Sequence, residues 1–161
     1  MIVVADASPL NYLIQIERAN VLQSLFTRVL VPVAVIAELR HPGARPAVAN
    51  WVKNIPDWIE IRALTSQPDP ALEVLDAGER EAIQLAEGQR ADLLLIDECK
   101  GRFEARRRGI ATTGTLGVLL AAGRRGLIDA ESAYQRLVTE TTFRSSPEAR
   151  ERFLHLCHEN G

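Results

Sequence analysis

Four carboxylates stand where a parallel α/β protein would gather its chemistry: Asp6, Glu38, Glu79 and Asp97. Asp6 and Asp97 each close a short apolar run, Ile2-Val3-Val4-Ala5 and Leu93-Leu94-Leu95-Ile96, and such runs read as strands buried on both faces. In open α/β sheets ligands bind beyond the carboxyl ends of the strands. Each acid also has a local reading. Ser8-Pro9 is the expected N-cap pair of the first helix, which leaves Asp6 without a capping role. Glu38 falls near a helix C-terminus, where the dipole disfavours it unless Arg40 or His41 pairs with it. Glu79 occupies the third helical position of a capping box opened by Asp76, and Asp97 is placed to cap the helix after its strand. Glu81 and Glu98 are neighbouring understudies. Taken together, carboxylates converging on one sheet edge repel one another, and a hard divalent cation, Mg²⁺ or Mn²⁺, is their natural partner. Without Cys or His ligand spacing, zinc is disfavoured there. His155-x-Cys157-His158 is a weak soft-metal candidate on an amphipathic helix.

The elements that must position these acids follow from periodicity. Further strands are expected at Arg28-Val29-Leu30-Val31, Trp58-Ile59-Glu60-Ile61 and Ile110-Ala111-Thr112, and helices from Ser8 to about Glu17, around Val21 to Phe26, from Pro32 through Glu38, and from Pro46 to Val52. More helices are expected from Asp76, from Cys99 to Arg108, from Thr115 to Arg124, from Ala130 to Thr141 and from Pro147 to His158. Strands alternating with helices specify βαβ units. The expected fold is a three-layer α/β/α sandwich around a central, mostly parallel sheet of four to five strands. It forms one domain over residues 1–161, with the motifs in 1–128 and compatible helices in 129–161.

Composition narrows the classes. The chain has 161 residues, 47% of them hydrophobic and 25% charged, ordinary values for a globular protein. No apolar run approaches a membrane span and the N-terminus lacks a signal peptide, so a cytoplasmic location away from membranes is expected. Two distant cysteines suit neither a zinc ribbon nor a disulfide framework. A formal charge of -2 gives no global field for nucleic acid, so contact must come from a local patch. Lys100, Arg102, Arg106, Arg107 and Arg108 crowd one helix, with Arg124 and Arg125 as a second patch. These suit a phosphate backbone or an ordinary solvated face. Thr112-Thr113-Gly114-Thr115 precedes a helix, as a phosphate-receiving N-terminus or a plain cap. Trp51 and Trp58 are expected to pack, leaving no base-stacking platform.

Val3-Val4-Ala5-Asp6-Ala7-Ser8, a Glu in the helix after the second strand, Gly78-Glu79-Arg80-Glu81-Ala82-Ile83 and Leu95-Ile96-Asp97 resemble, in order and spacing, the successive motifs of PIN-domain ribonucleases. Ile96-Asp97-Glu98 with Arg102, Ala105 and Thr113-Gly114-Thr115-Leu116-Gly117 resembles a bacterial and archaeal branch described mainly as nucleic-acid-binding. The resemblance implies a PIN-like fold in which Asp6, Glu38, Glu79 and Asp97 hold Mg²⁺ or Mn²⁺ and carry catalysis, with Ser8, Glu98 and Thr115 in support. It implies hydrolysis of RNA to 3′-hydroxyl and 5′-phosphate ends, with Lys100, Arg102, Arg106 and Arg107 expected to contact the substrate. It further implies a homodimer and a toxin restrained by a cognate antitoxin. The third acid is Glu where toxin-type relatives usually carry Asp, and Glu98 follows Asp97 directly.

Other classes fit less well. A phosphoacceptor receiver needs paired acids after the first strand and a lysine after the last, and a haloacid-type phosphatase needs DxD or DxT where this chain has Asp6-Ala7-Ser8. The remaining alternative is a PIN fold kept as a nucleic-acid- or protein-binding module with weak or no catalysis.

Overall fold

The computed structural model describes residues 1–159. Five parallel strands, β1 (Ile2–Ala5), β2 (Arg28–Pro32), β3 (Ile59–Arg62), β4 (Leu93–Leu95) and β5 (Thr112–Thr113), form one sheet in the order β3-β2-β1-β4-β5. Register is fixed across the centre by Val4 opposite both Leu30 and Leu94, and by Leu95 opposite Thr113. The central strands are apolar on both faces because both are covered. Val3 and Ala5 point into one core with Val29, Val31 and Leu95, and Val4 points into the other with Leu30, Leu94 and Ile96.

The first core is closed by α1 (Ala7–Gln15), α2 (Val21–Leu25), α3 (Val33–Leu39), α4 (Pro46–Lys53), α7 (Thr115–Arg124), α8 (Ala130–Glu140) and α9 (Pro147–Glu159). The second is closed by α5 (Ala77–Gly88), α6 (Cys99–Arg107) and the 3-10 turn Pro70–Leu72. This is the expected three-layer sandwich, all-parallel in its sheet. The helices that follow β1 and β4 therefore go to opposite faces. A crevice must open between the carboxyl ends of these two neighbouring strands, the topological switch point of the sheet.

The structure revises several local expectations. Helix α1 begins at Ala7, so Asp6 itself takes the N-cap position, and Ser8 and Pro9 lie inside the first turn. Strand β5 is displaced to Thr112–Thr113, because Ile110 is drawn down into the core beneath α6. Trp51 and Trp58 pack against the first core as expected. The apolar stripe of α9 is core packing: Phe153 is buried against Tyr134, with ring centroids 5.2 Å apart. His155 and His158 face Glu159 and Glu131 separately, and His155-x-Cys157-His158 gathers no metal ligands.

Candidate metal centre

Asp6 is delivered by the end of β1, where its backbone N–H donates to the Leu95 carbonyl across the crevice (2.9 Å). Its side chain is only 4% exposed, makes no capping hydrogen bond, and leaves Oδ1 without any hydrogen-bond partner. Burial, and then the charges of Asp76, Glu38 and Asp97, push this carboxyl up to about 7 against the opposing pull of the Ala7 backbone N–H. A buried acceptor with no donor is costly.

Gly78, in the first turn of α5, measures how the acids converge. A methyl group there would lie 3.3 Å from Asp6 Oδ1, 3.5 Å from Glu38 Oε2 and 3.6 Å from Asp76 Oδ1. The absence of a side chain at Gly78 is what opens the space among them. Glu38 reaches this point from the last turn of α3, and burial and Asp76 raise its pKa. No ion pair joins Glu38 to Arg40 or His41 among the described residues, and His41 Nδ1 instead accepts the Gly43 N–H at 3.0 Å.

Asp76 is the acid that sequence reasoning missed, having assigned it only the cap. It does cap α5, accepting the Glu79 N–H at 2.8 Å, yet its charge also bears on Asp6, Glu38 and Glu79. Its place two residues before Gly78-Glu79 was the available signal. Glu79 is buried, and burial, a hydrogen bond shared with Asp76, and the charges of Asp76, Asp6 and Glu98 push it up to about 8. Glu81 serves the scaffold instead. Its Oε1 accepts the Ala34 N–H at 3.1 Å and ties α5 to the start of α3.

Asp97 follows β4 and does not cap α6, whose N-cap position is Glu98. It caps α7 instead, its Oδ1 accepting the Thr115 N–H at 2.8 Å and its Oδ2 the Thr115 Oγ1–H at 2.7 Å. Gly114 precedes Thr115 because a Cβ there would collide with Asp97 Oδ1. The helix N-terminus thus serves the carboxylate rather than an incoming phosphate. Asp97 is the anchored wall of the centre and Asp6 its unsatisfied one. Ser8 is exposed beside Glu38, both lining a cleft of about 330 Å³ that also holds His41 and Arg45.

The basic helix divides. Arg107 pairs with Glu104 at 2.7 Å, and Arg108 is held by Glu104, Glu87 and Asp69. Arg106 donates to Thr112 Oγ1 at 3.1 Å, and Lys100 faces a separate groove with Val74 and Phe103. Arg102 alone of these shares a cleft with Asp97.

Among the described residues no three Asp, Glu, His or Cys side chains are drawn close enough to cage an ion. The donor set nevertheless fits a hard divalent cation. It is all oxygen, its buried Asp6 oxygen lacks a partner, and no Lys or Arg among the described residues pairs with any of its acids. No curated protein matches the chain. A family model for the PIN domain matches residues 2–159, which take in every strand and helix described above; with this match and this all-parallel sandwich, the chain belongs to the PIN-domain family, a nuclease-like fold.

Proposed function

We propose that the protein is a Mg²⁺- or Mn²⁺-dependent endoribonuclease acting as the toxin of a toxin–antitoxin pair. The observation that carries the enzymatic part is the buried, partnerless Asp6 Oδ1 facing Glu38 and Asp76 around Gly78 at the sheet switch point. Asp6, Glu38, Glu79 and Asp97 would hold the ion, with Asp76 as a further acid. A bound divalent ion supplies charge neutralisation at the scissile phosphate and acidifies the attacking water. The chain's own residues do the positioning. Thr115 fixes both oxygens of Asp97, and the missing side chain of Gly78 keeps a methyl group from standing among Asp6, Glu38 and Asp76, which would hold the ion. Glu98, charged and exposed at the start of α6, is close enough to act on Glu79. Arg102 stands beside Asp97 to meet the backbone of the RNA, with Lys100, Arg106 and Arg107 farther along α6. A homodimer, a cognate antitoxin and a cytoplasmic location belong to the same reading.

The test is cleavage of a pooled, end-labelled RNA with Mg²⁺, with Mn²⁺ and with EDTA, for the wild type and for folded Asp6→Asn and Asp97→Asn. Metal-dependent cleavage lost in both variants is expected. Absence of cleavage by folded wild type with either metal across many RNAs would leave the second reading, a PIN-fold binding module. The fully paired Arg107 and Arg108 favour that module only in lowering the positive charge available to RNA.

A further inference from the structure

Glu38 also lines the cleft of about 330 Å³ that runs between α1, the end of α3 and the start of α4. Its volume lies at the small end of ligand sites and suits one planar ring system. α1 turns Leu10, Leu13 and Ile14 into the core, while Asn11 and Gln15, one helical turn apart, stand on the cleft side. Both amides are half-buried, yet neither side chain has a hydrogen bond to any described residue. Gln84, the buried amide of α5, is by contrast engaged: it donates to Ser66 Oγ at 2.9 Å and accepts the Asp69 N–H at 3.2 Å. Each free amide keeps a donor and an acceptor for an incoming group. The floor below them includes Leu39 and Val48, both buried. At the mouth the His41 ring is held in place. Its Nδ1 accepts the Gly43 N–H at 3.0 Å, and a Cβ on Gly43 would stand 3.2 Å from that nitrogen, so the imidazole lies against the backbone there. Arg45 is exposed beside it, and no carboxylate pairs with it among the described residues.

We propose that this cleft reads one unpaired nucleobase of an RNA strand, Asn11 and Gln15 pairing with its hydrogen-bonding edge while Arg45 holds the neighbouring phosphate. The inference rests on the nuclease reading and deepens it by naming the residues that set base preference beside the cut. An amide offers a donor next to an acceptor, the pattern that a base edge answers with two hydrogen bonds, and an unpaired base has that edge free. The fixed His41 ring supplies a flat face for stacking, and the Leu39 and Val48 floor takes the apolar part of the base. A bare anion fits less well, because Arg45 is the one Lys or Arg among the lining residues and Glu38 faces the same space. Glu38 belongs both to this cleft and to the acids around Gly78. A base seated here would therefore lie next to the phosphate that the acids and their ion engage.

The test sequences the bound and free fractions of a random single-stranded RNA pool equilibrated in EDTA, so that base preference is read without turnover. The proteins are wild type, Asn11→Leu/Gln15→Met, Asn11→Ala/Gln15→Ala, Arg45→Ala and Gln23→Met, each checked for a native melting curve. Gln23 is an exposed amide of α2 outside the cleft and serves as the control. Wild type and Gln23→Met should enrich one base at one position about tenfold over the others, and both double variants should bring that enrichment to within about twofold of background. Arg45→Ala should keep the enrichment, weaken all sequences alike and lower the salt slope by about 1. No enrichment by wild type, enrichment unchanged in both double variants, or a pool left unbound would each overturn the inference and leave the cleft to a ligand other than RNA. A base preference that depends on Asn11 and Gln15, in a protein that cleaves nothing with Mg²⁺ or Mn²⁺, removes the nuclease reading alone. Metal-dependent cleavage with a base preference independent of these amides removes this inference alone.

Discussion

Asp6 is held in a state that the unfolded chain does not impose. Its carboxyl lies near 7 in the fold, against about 3.9 in an unfolded chain, so between those values the folded state binds more protons than the unfolded one. The contribution of Asp6 to the stability of the metal-free protein therefore falls as pH rises from about 4 to 7, and that of Glu79, pushed up to about 8, extends the decline. Replacing Asp6 by Asn removes the buried charge. At pH 8 in EDTA, Asp6→Asn should melt about 3 °C or more above wild type, while Mn²⁺ should raise the wild-type melting temperature and leave the variant nearly unmoved. A metal-free variant less stable than wild type at pH 8 would contradict this account of Asp6. Thr115 gives the complementary prediction. It is fully buried and offers both its N–H and its hydroxyl to Asp97, so Thr115→Val keeps shape and one hydrogen bond but frees Oδ2. Loss of such an orienting partner costs roughly 10- to 100-fold in metal affinity, readable by Mn²⁺ titration calorimetry. The positions of Asp6, Asp97 and Glu79 were legible in the sequence because strand ends and helix starts are local signals, and that of Glu38, in the last turn of α3, from the helix that follows the second strand. Asp76 was not, because its capping role satisfies the local pattern completely and only the approach of α3 and β1 shows the second role.

Elements were legible where one pattern decided them. The apolar runs of β1 and β4 and the helix from Ala77 needed nothing beyond periodicity and turn residues. The first helix was misplaced at its start because Ser8-Pro9 is a strong capping pattern, yet the hydrogen bond from Asp6 N–H to Leu95 holds the chain extended only as far as Asp6 and lets α1 begin at Ala7. The pairing of the basic residues of α6 was illegible for a similar reason. Its charges were countable, but their partners Glu87 and Asp69 come from distant segments. Arg108, with 11% of its side chain exposed, draws Asp69, Glu87 and Glu104 together, and with Arg107 holds Glu104 down at about 2. A depressed carboxyl contributes stability above its unfolded value near 4.3 and loses it as pH falls toward 2. Arg108→Met leaves three acids facing one another and should cost roughly 1 to 2 kcal/mol at pH 7, the partners' exposure screening the rest. Because those acids are neutral in acid, the difference between variant and wild type should narrow as pH falls from 5 to 3. Urea melts across that range measure it, and a constant difference would mean that Arg108 acts by packing alone.

At the scale of the molecule, the sheet order places α5 and α6 on one face and the remaining seven described helices on the other. The carboxyl edge is left as the common boundary of both cores. The terminal helix completes this arrangement from the crowded side. Phe153 is 4% exposed and meets Tyr134 of α8, while Leu154 and Cys157 pack on the same core. The loop that leads into α9 is pinned in turn, with Phe143 edge-on to Tyr12 of α1 at 5.3 Å. Phe153→Ala removes the anchor of α9 without touching the acids. It should destabilise the protein by about 3 kcal/mol, lowering the melting temperature by roughly 6 to 12 °C. Amide exchange should rise first in α9 and in the 143–146 segment, because Phe153 is the buried residue of α9 and a helix without its buried anchor opens locally at lower cost than the sheet. The Mn²⁺-induced shift in melting temperature should persist, since Asp6, Glu79 and Asp97 are set by β1, α5 and β4 and not by α9. Loss of that shift together with the helix would instead make the C-terminal helices part of what holds the carboxylates in register.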